Sequence, residues 1–311
     1  MVTLGETMLR LSAPPGVALE SAPYLMVHVA GAESNVAIAL SRLNTSTGWI
    51  SRLVDNPLGR RIHNEVRSHG VDVSRVLWTR GERVGTYFVE LGRPPRSGRV
   101  IYDRTGSAMT TIDPEEVDWT YVRSARVVHL TGITPGLSPS CLELVMRALQ
   151  EARAGGAIVS FDVNYRTRLW TPADAAAILA PLVRQVGILI CTADDARRVF
   201  EIASDVAETA QALRDRFQAD VTVVTSGGRF AAADASRTYE REGYLVDPLD
   251  RIGAGDAFAA GFIHGFLTDG VEQGLTVGAA LAALKHTFYG DTAWVSAEDI
   301  QTLVTGEEMW R

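Results

Sequence analysis

From residue 126 onward, short apolar runs alternate with segments whose apolar positions recur at helical spacing. Four runs are apolar at nearly every position, as in buried strands; they cover residues 126–131, 157–161, 187–191 and 221–225. Strands that are apolar on both faces and separated by helices are typical of a parallel sheet covered by helices on both sides. The pattern therefore predicts an α/β fold with a doubly wound, mainly parallel sheet.

Helix signals lie between these runs. Residues 138–154 place Leu142, Val145 and Leu149 on one stripe at helical spacing. Thr171 followed by Pro172 is typical of an N-cap and the first position of a helix. In folds of this kind, ligands bind beyond the carboxyl ends of the parallel strands. Functional residues are therefore expected in the loops that follow the apolar runs.

Two stretches have a different pattern. Residues 84–91 and 99–104 are strand-like and are joined by a turn-rich segment, whereas residues 9–29 contain prolines and short apolar pieces without a helical period. We expect antiparallel strands that form a small lid outside the core, able to close over a substrate and exclude water. The chain is thus expected to be one domain, residues 1–311, with a β lid inserted from about 9–29 and 84–106.

Composition narrows the class of protein. The chain is 46% apolar and 22% charged, which suits one globular domain. No apolar run approaches the roughly 20 residues that cross a bilayer, and no signal peptide is apparent. Cys141 and Cys191 lie in apolar segments, so we expect buried thiols and a cytoplasmic location, without a membrane partner. The net charge of −7 lacks the basic footprint of a nucleic-acid partner.

The basic residues are unusual. Of 30 basic residues, 29 are arginine and only Lys285 is lysine. Codon bias or heat adaptation is the simple explanation. No phosphate-binding sequence Gly-x4-Gly-Lys-Ser/Thr is present. Any phosphate chemistry would therefore depend on arginine, backbone N–H groups and a metal ion.

The strongest motif is Asp-Arg-Ile-Gly-Ala-Gly-Asp-Ala-Phe at residues 250–258. Gly253 and Gly255 free the backbone for close approach to a ligand, and a helix predicted to begin here would direct its unpaired N–H groups at an anion. Asp256 could accept the proton of a hydroxyl that attacks a γ-phosphoryl group. Alternatively, Asp256 only complements the helix dipole. The motif alone does not decide between the two.

Residues 250–263 resemble the C-terminal signature of the ribokinase-like (pfkB) carbohydrate kinases, and residues 30–37, Ala-Gly-Ala-Glu-Ser-Asn-Val-Ala, resemble the N-terminal one. The similarity covers essentially the whole chain. It implies a ribokinase-like fold and phosphoryl transfer from ATP. It also implies Asp256 as the catalytic base and Gly253, Ala254 and Gly255 as the anion hole.

Within that family, four segments resemble the 2-keto-3-deoxygluconate kinases; they lie at residues 102–108, 129–135, 161–170 and 285–291. An acidic substrate agrees with guanidinium groups on the lid and after a core strand, since arginine forks match carboxylates. The resemblance implies that the sugar acid is bound by Gly31, Ala32, Glu33, Ser34, Asn35, Tyr87, Tyr102, Arg104, Arg166, Asp256 and Asp291.

The resemblance also implies ATP and Mg²⁺ as cofactors, with a monovalent cation as a further candidate. Asp195 is expected to contact the metal through water, although Thr-Ala-Asp-Asp at residues 192–195 stands where the family has Asn-x-x-Glu. Phe230 stands where a second glycine is usual in the nucleotide loop. The residues expected to bind nucleotide are Asn164, Tyr165, Arg166, Thr192, Thr225, Ser226, Gly227, Gly228, Gly253, Ala254 and Gly255.

Two other functions stay open on the sequence. The acceptor could be a neutral sugar such as fructose or ribose, a nucleoside, or the galacto epimer of the keto acid. The chain could instead be a non-catalytic sugar-binding relative, although the intact motif at residues 253–256 argues against this. A homo-oligomer is expected. The sequence leaves open the epimer, the oligomeric state, the need for a monovalent ion and the preferred nucleotide.

Overall fold

The strands of the protein follow the apolar runs of its sequence. The computed structural model describes residues 1–306. Its strands, in chain order, are β1 (Val2–Leu4), β2 (Met8–Ser12), β3 (Met26–Ala30), β4 (Gly48–Ile50), β5 (Arg52–Val54), β6 (Leu77–Thr79), β7 (Thr86–Glu90), β8 (Arg99–Asp103), β9 (Val127–Thr131), β10 (Ile158–Asp162), β11 (Ile188–Thr192), β12 (Val221–Ser226), β13 (Arg229–Ala233) and β14 (Thr238–Glu242).

The helices lie between these strands and beyond the last one. They are α1 (Ala32–Arg42), α2 (Pro57–Ser68), α3 (Trp119–Arg123), α4 (Pro139–Ala154), α5 (Pro172–Val183), α6 (Ala193–Phe200), α7 (Val206–Phe217), α8 (Ala254–Lys285) and α9 (Ala297–Thr305). Helix α5 begins as predicted, with the Thr171 side chain accepting a hydrogen bond from the Asp174 N–H. Helix α8 is interrupted at Gly270, whose φ of 80° is not helical.

Eight strands form the central sheet, in the order β14-β13-β12-β11-β10-β9-β1-β4. The pairs from β12 to β4 are parallel, and β13 and β14 extend the sheet as an antiparallel hairpin. The four predicted apolar runs are the adjacent strands β9 to β12. The prediction of a doubly wound, mainly parallel sheet is confirmed, whereas the hairpin was not predicted.

Helices cover both faces of this sheet, which explains the unbroken apolar runs. In β11, Leu189 and Cys191 pack with α3 to α7 on one face. Ile188 and Ile190 pack with α1, α8 and α9 on the other face. Because each face is buried, alternating side chains of one strand serve two cores. Cys141 and Cys191 are buried free thiols, as predicted.

The lid is a separate four-stranded sheet in the order β3-β2-β7-β8. Its strands come from the two stretches that the sequence singled out. The pairs β2–β3 and β7–β8 are antiparallel, as expected, but the central pair β2–β7 is parallel. That pair joins two separate strand pairs, so no tight turn imposes an antiparallel direction on it. Among residues 1–306, no helix has both the length and the apolar character that a membrane span requires.

Candidate active site

The Gly-rich motif forms the start of helix α8. Gly253 is the N-cap residue, with a φ of 86°, and its Cα lies so close to the neighbouring loop that a Cβ there would be 2.1 Å from the Asp291 carbonyl oxygen. Only glycine fits such a position without strain. Ala254 and Gly255 follow in the first turn, and a Cβ on Gly255 would meet open space. The Ala254 N–H donates a long hydrogen bond of 3.4 Å to the Arg251 carbonyl, and Gly255 borders an accessible volume. The first turn of a helix lacks intrahelical acceptors for its N–H groups, so this turn has the geometry that an anion site requires.

Asp256 lies at the end of this first turn and faces helix α1. Its Oδ2 accepts a hydrogen bond from Asn35 Nδ2 at 2.7 Å. Burial raises the pKa of Asp256 to about 6, while the Asn35 hydrogen bond and the Arg166 charge act in the opposite direction. A carboxylate with a pKa near neutrality is ionised at pH 7 and can still accept a proton usefully.

The N-terminal motif forms the first turn of α1. Gly31 is the N-cap, followed by Ala32, Glu33, Ser34 and Asn35. A Cβ on Gly31 would lie 2.4 Å from the Glu6 carbonyl oxygen, so the loop after β1 is held against this turn. Two helix starts, those of α1 and α8, therefore meet at the pair formed by Asn35 and Asp256.

Glu33 is buried and is held by two threonine side chains. Its Oε1 accepts hydrogen bonds from Thr131 Oγ1 at 2.8 Å and Thr134 Oγ1 at 2.7 Å. Burial raises the pKa of Glu33 to about 7. Ser34 is likewise buried, accepting from Thr7 Oγ1 and donating to the Gly31 carbonyl. These two residues brace the turn, and among the motif residues Asn35 donates to Asp256.

The carboxyl ends of β10 and β11 bring further carboxylates to the same edge. Asp162 ends β10, and its Oδ1 accepts from the Asn164 N–H at 3.1 Å. Asp195, in the first turn of α6, accepts from the Tyr165 N–H at 3.3 Å. Burial, together with the charges of Asp256 and Asp195, raises the pKa of Asp162 to about 8.

Arg166 is the cation of this edge. Its side chain is exposed, in contrast to the buried Asn164 and Tyr165 that precede it. Its charge lowers the pKa values of Asp162, Asp195 and Asp256, so the guanidinium lies within electrostatic reach of all three. The sequence located Arg166 at the carboxyl edge, and the structure places it there.

The carboxylates at this edge fit a magnesium ion. Mg²⁺ prefers oxygen ligands and is commonly held by one or two carboxylates together with phosphates and water. Asp162 and Asp195 are buried, and the charge of Asp195 acts on Asp162. Neither carboxylate forms a salt bridge within residues 1–306, so a bound divalent ion would relieve their repulsion. No group of three or more metal-binding side chains is placed to hold a metal by itself within residues 1–306.

The remaining predicted nucleotide residues follow β11 and β12. Thr192 caps helix α6, its Oγ1 accepting from the Asp195 N–H at 3.0 Å, and it lies opposite Thr225 in the sheet. Ser226 ends β12, and Gly227 and Gly228 form the exposed turn between β12 and β13, with φ values of 56° and 89°. These residues lie at the carboxyl ends of β11 and β12, on the same edge of the sheet as Asp162.

Phe230, which departs from the family pattern, belongs to the core. It is buried and stacks on Phe258 with ring centroids 4.7 Å apart and nearly parallel planes. Phenylalanine at position 230 therefore contributes to core packing through its contact with Phe258 of α8.

On the lid, Tyr102 and Arg104 flank the site. Tyr102 stacks on Tyr87 with ring centroids 5.6 Å apart, and the Arg104 guanidinium lies 5.9 Å from the Tyr102 ring. Arg104 is also paired with Glu6, its Nε donating to Oε2 at 2.8 Å. The sequence interpretation gave Arg104 to the ligand alone and missed Glu6. The position of Glu6 just after β1 was the available signal, since β4 and β9 flank β1 at a topological switch point.

Asp291 and Tyr87 lie in a buried network beneath the site. Tyr87 Oη donates to Asp291 Oδ2 at 2.7 Å. Arg10, on lid strand β2, donates to Asp291 Oδ1 and to Asp250 Oδ2, both at 2.6 Å. The sequence predicted substrate contacts for Tyr87 and Asp291 and missed Arg10. A charged residue in the apolar strand Met8–Ser12 was the signal for a buried ion pair.

Comparisons with known proteins agree with this geometry. Residues 1–297 match the model of the pfkB family carbohydrate kinases. A Haloferax volcanii protein named 2-dehydro-3-deoxygalactonokinase is 42% identical, covering 98% of this chain and 96% of its own. A Thermoproteus tenax 2-dehydro-3-deoxygluconokinase is 35% identical, covering 94% and 89%.

Solved structures point the same way. The crystal structure of a 2-dehydro-3-deoxygluconokinase from Thermotoga maritima superposes with a TM-score of 0.93 at 32% identity, covering 98% of both chains. The family model spans nearly the whole chain, and the two sequence motifs form the helix starts that meet at Asn35 and Asp256. The chain belongs to the pfkB family of carbohydrate kinases, enzymes that use ATP.

Proposed function

We propose that this kinase phosphorylates 2-keto-3-deoxygluconate, also called 2-dehydro-3-deoxygluconate, to 2-keto-3-deoxy-6-phosphogluconate. The observation that carries the proposal is Asp256, a carboxylate with a raised pKa at a helix start and 2.7 Å from Asn35. The names of the relatives support a keto-deoxy sugar acid as the acceptor. The relative with 42% identity is named for the galacto epimer, which is therefore the second candidate acceptor.

The proposed reaction begins with the acceptor hydroxyl between Asp256 and the γ-phosphoryl group. As the hydroxyl oxygen forms its bond to phosphorus, its proton passes to the Asp256 carboxylate and the bond from the γ-phosphorus to the bridging oxygen of ADP breaks. Asn35 Nδ2 holds Asp256 in place. The N–H groups of Gly253, Ala254 and Gly255 would stabilise the negative charge that spreads over the phosphoryl oxygens.

The nucleotide would lie along the carboxyl ends of β10 to β12. Asn164, Tyr165 and Arg166 would meet the phosphates, with Thr192 and residues 225–228 along the rest of the nucleotide. Asp195, with Asp162 beside it, would hold Mg²⁺ through water. The ion would neutralise charge on the β- and γ-phosphate oxygens, which suits a phosphate site without lysine.

The sugar acid would be held between α1 and the lid. Asn35 Oδ1 is buried and has no hydrogen-bond partner within residues 1–306, so it can accept a substrate hydroxyl. Arg166 and Arg104 would bind the carboxylate, with Tyr102 over the sugar. Gly31 to Ser34 would shape the wall of this site, and Tyr87 and Asp291 would act from below by holding the lid strand.

Domain organisation, assembly and location complete the proposal. The chain would act as one kinase domain, residues 1–311, with the lid from about 9–29 and 84–106. Strand β8 is an edge of the lid sheet and exposes Ile101, so this edge is suited to pairing with a second copy. We therefore propose a homo-oligomer, which light scattering would measure.

A cytoplasmic location agrees with ATP as donor and with free buried thiols.

The test is ATP consumption with 2-keto-3-deoxygluconate, its galacto epimer and fructose as acceptors, in Mg²⁺ and in excess EDTA. We expect the highest kcat/KM with the gluco acid and no turnover in EDTA. In the control variant Asp256→Asn, turnover should fall about 10²- to 10⁴-fold, the range for a lost general base, with ATP binding retained. A clear preference for fructose would refute the sugar-acid assignment, and an active Asp256→Asn variant would refute the base.

A further inference from the structure

The one lysine of the chain lies fully buried beside the proposed anion hole. Lys285 is the last residue of α8 and has 0% exposure, although lysine is among the residues least often buried. The other 29 basic residues of the chain are arginines. A composition that replaces lysine by arginine everywhere else, yet keeps it at this buried position, indicates a requirement that a guanidinium group does not meet.

The Lys285 ammonium is held by backbone carbonyl oxygens. Its Nζ donates to the Asp250 carbonyl at 3.1 Å and to the Phe288 carbonyl at 3.3 Å. Burial lowers the pKa of Lys285, while the carboxylates of Asp250, Asp291 and Asp256 attract the ammonium and favour its charged form; Arg10 repels it. Its charge in turn lowers the pKa of Asp256, so the ammonium lies within electrostatic reach of the base.

These contacts join the two segments that build the turn before α8. Asp250 begins that turn, its Oδ1 accepting from the Ile252 N–H and its Oδ2 from the Gly290 N–H, both at 3.1 Å. Gly253 packs against the Asp291 carbonyl. Without a cation, the inward carbonyls of Asp250 and Phe288 would lie unpaired beside buried carboxylates, which is costly.

An ammonium suits this position better than a guanidinium. It is a compact charge whose three donors can meet oxygens in several directions, whereas the guanidinium is planar and larger. At 0% exposure a larger group would displace the surrounding backbone. The arrangement, a small cation held by carbonyl and carboxylate oxygens, is also the one that would bind a free monovalent cation.

We propose that Lys285 is a positioning residue that serves as a built-in monovalent cation for the Gly253–Gly255 turn, so that phosphoryl transfer needs no free monovalent ion. The proposal rests on the anion-hole role that the proposed function gives to this turn. Lys285 touches neither substrate nor nucleotide. It acts by holding the carbonyls that set the path of the turn and by offsetting the negative charge behind it.

The experiment compares wild type and Lys285→Ala in buffers of tetramethylammonium, sodium, potassium or ammonium chloride at equal ionic strength. Wild-type kcat should be the same in all four. Lys285→Ala should lose about tenfold or more of kcat in tetramethylammonium, which is too large for the cavity, and regain at least about a third of the wild-type value in ammonium or potassium. Asp256→Asn, the matched control, should regain nothing in any buffer.

Several outcomes would overturn the proposal. These are a folded Lys285→Ala variant with full activity, a loss of kcat in Lys285→Ala that no small cation restores, or full activity in Lys285→Arg. If Lys285→Ala does not fold, Lys285→Met, which is similar in length and uncharged, takes its place. Because methionine leaves no cavity for a cation, none of the four salts should restore the kcat that this variant loses. If neither variant folds, the wild type provides the test. A rise in wild-type kcat of more than about threefold with potassium contradicts a built-in cation, and a kcat that does not change with potassium supports it. A wild type without phosphoryl transfer would instead defeat the proposed function.

Discussion

At the scale of single residues, the pair formed by Asn35 and Asp256 controls the protonation of the proposed base. Burial raises the pKa of Asp256 to about 6, and the hydrogen bond from Asn35 favours the ionised form. A base must be deprotonated to act. Activity should therefore rise as pH increases through about 6 and level off above it.

We expect Asn35→Ala to move this acidic limb to higher pH. Losing the hydrogen bond removes a stabiliser of the carboxylate, so the pKa of Asp256 increases and a larger fraction of the enzyme is protonated at pH 6 to 7. The measurement is kcat/KM against pH for both enzymes. Asn64→Ala, an exposed asparagine of α2, is the matched control and should leave the limb in place. An unshifted limb in Asn35→Ala would contradict the coupling.

Arg104 tests the acidic acceptor. A charge-assisted contact to a carboxylate contributes about 1.5–3 kcal/mol, or roughly 10- to 150-fold in kcat/KM. Arg104→Ala should therefore lower kcat/KM for the keto acid by that factor and change little for a neutral sugar. Arg83→Ala removes another lid arginine, which pairs with Asp103, and should act equally on both acceptors. Equal losses on both acceptors for Arg104→Ala would make its role structural, through Glu6.

At the scale of elements, the start of α8 depends on two glycines that do different work. Gly253 has a positive φ and touches the Asp291 carbonyl, whereas Gly255 has open space where a side chain would lie. The first position is determined by the fold and the second is available to a ligand. Both glycines are therefore expected to matter for activity, but only Gly253 for the stability of the fold.

We predict that Gly253→Ala lowers the free energy of unfolding by at least about 1–2 kcal/mol, the cost of a strained left-handed residue, with overlap adding to it. Gly255→Ala should leave this free energy nearly unchanged and weaken ATP binding or turnover, because its methyl group enters the proposed phosphate volume. Urea unfolding and steady-state kinetics on both variants give the comparison. Equal destabilisation by the two substitutions would be inconsistent with this division.

At the scale of the whole molecule, Arg10 joins the lid to the core. It is 1% exposed, lies on lid strand β2 and pairs with Asp250 and Asp291, which flank the proposed anion hole. Tyr87, on lid strand β7, reaches the same Asp291. The lid is therefore anchored at two central strands, while its outer strand β8 carries Tyr102 and leads to Arg104.

Arg10→Met should cost about 3–5 kcal/mol of unfolding free energy, the range for breaking a buried ion pair, since two carboxylates lose their partner. Arg237→Met, which breaks the exposed pair with Glu272, should change stability little. Urea unfolding of both variants measures the difference. A variant Arg10→Met as stable as Arg237→Met would show that the buried network does not hold the lid.

The sequence by itself determined the class of fold and the start of a helix at the Gly-rich turn. Strands buried on both faces must be apolar at successive positions, so β9 to β12 could be predicted from the runs they make. Gly253 and Asp256 are three positions apart, and their relation is local to one helix start. The two lid stretches, residues 9–29 and 84–106, lack the alternation of unbroken apolar runs with helical segments. For that reason they could be separated from the core.

Only the tertiary structure decided which side chains meet. Asn35 and Asp256 are 221 residues apart, and Arg10 and Asp291 are 281 residues apart. Periodicity records which face of an element is buried, but not which distant element covers that face. The partner of Arg104, the parallel pair in the lid and the pKa of Asp256 all depend on such distant packing, because burial and neighbouring charge arise only when the chain has folded.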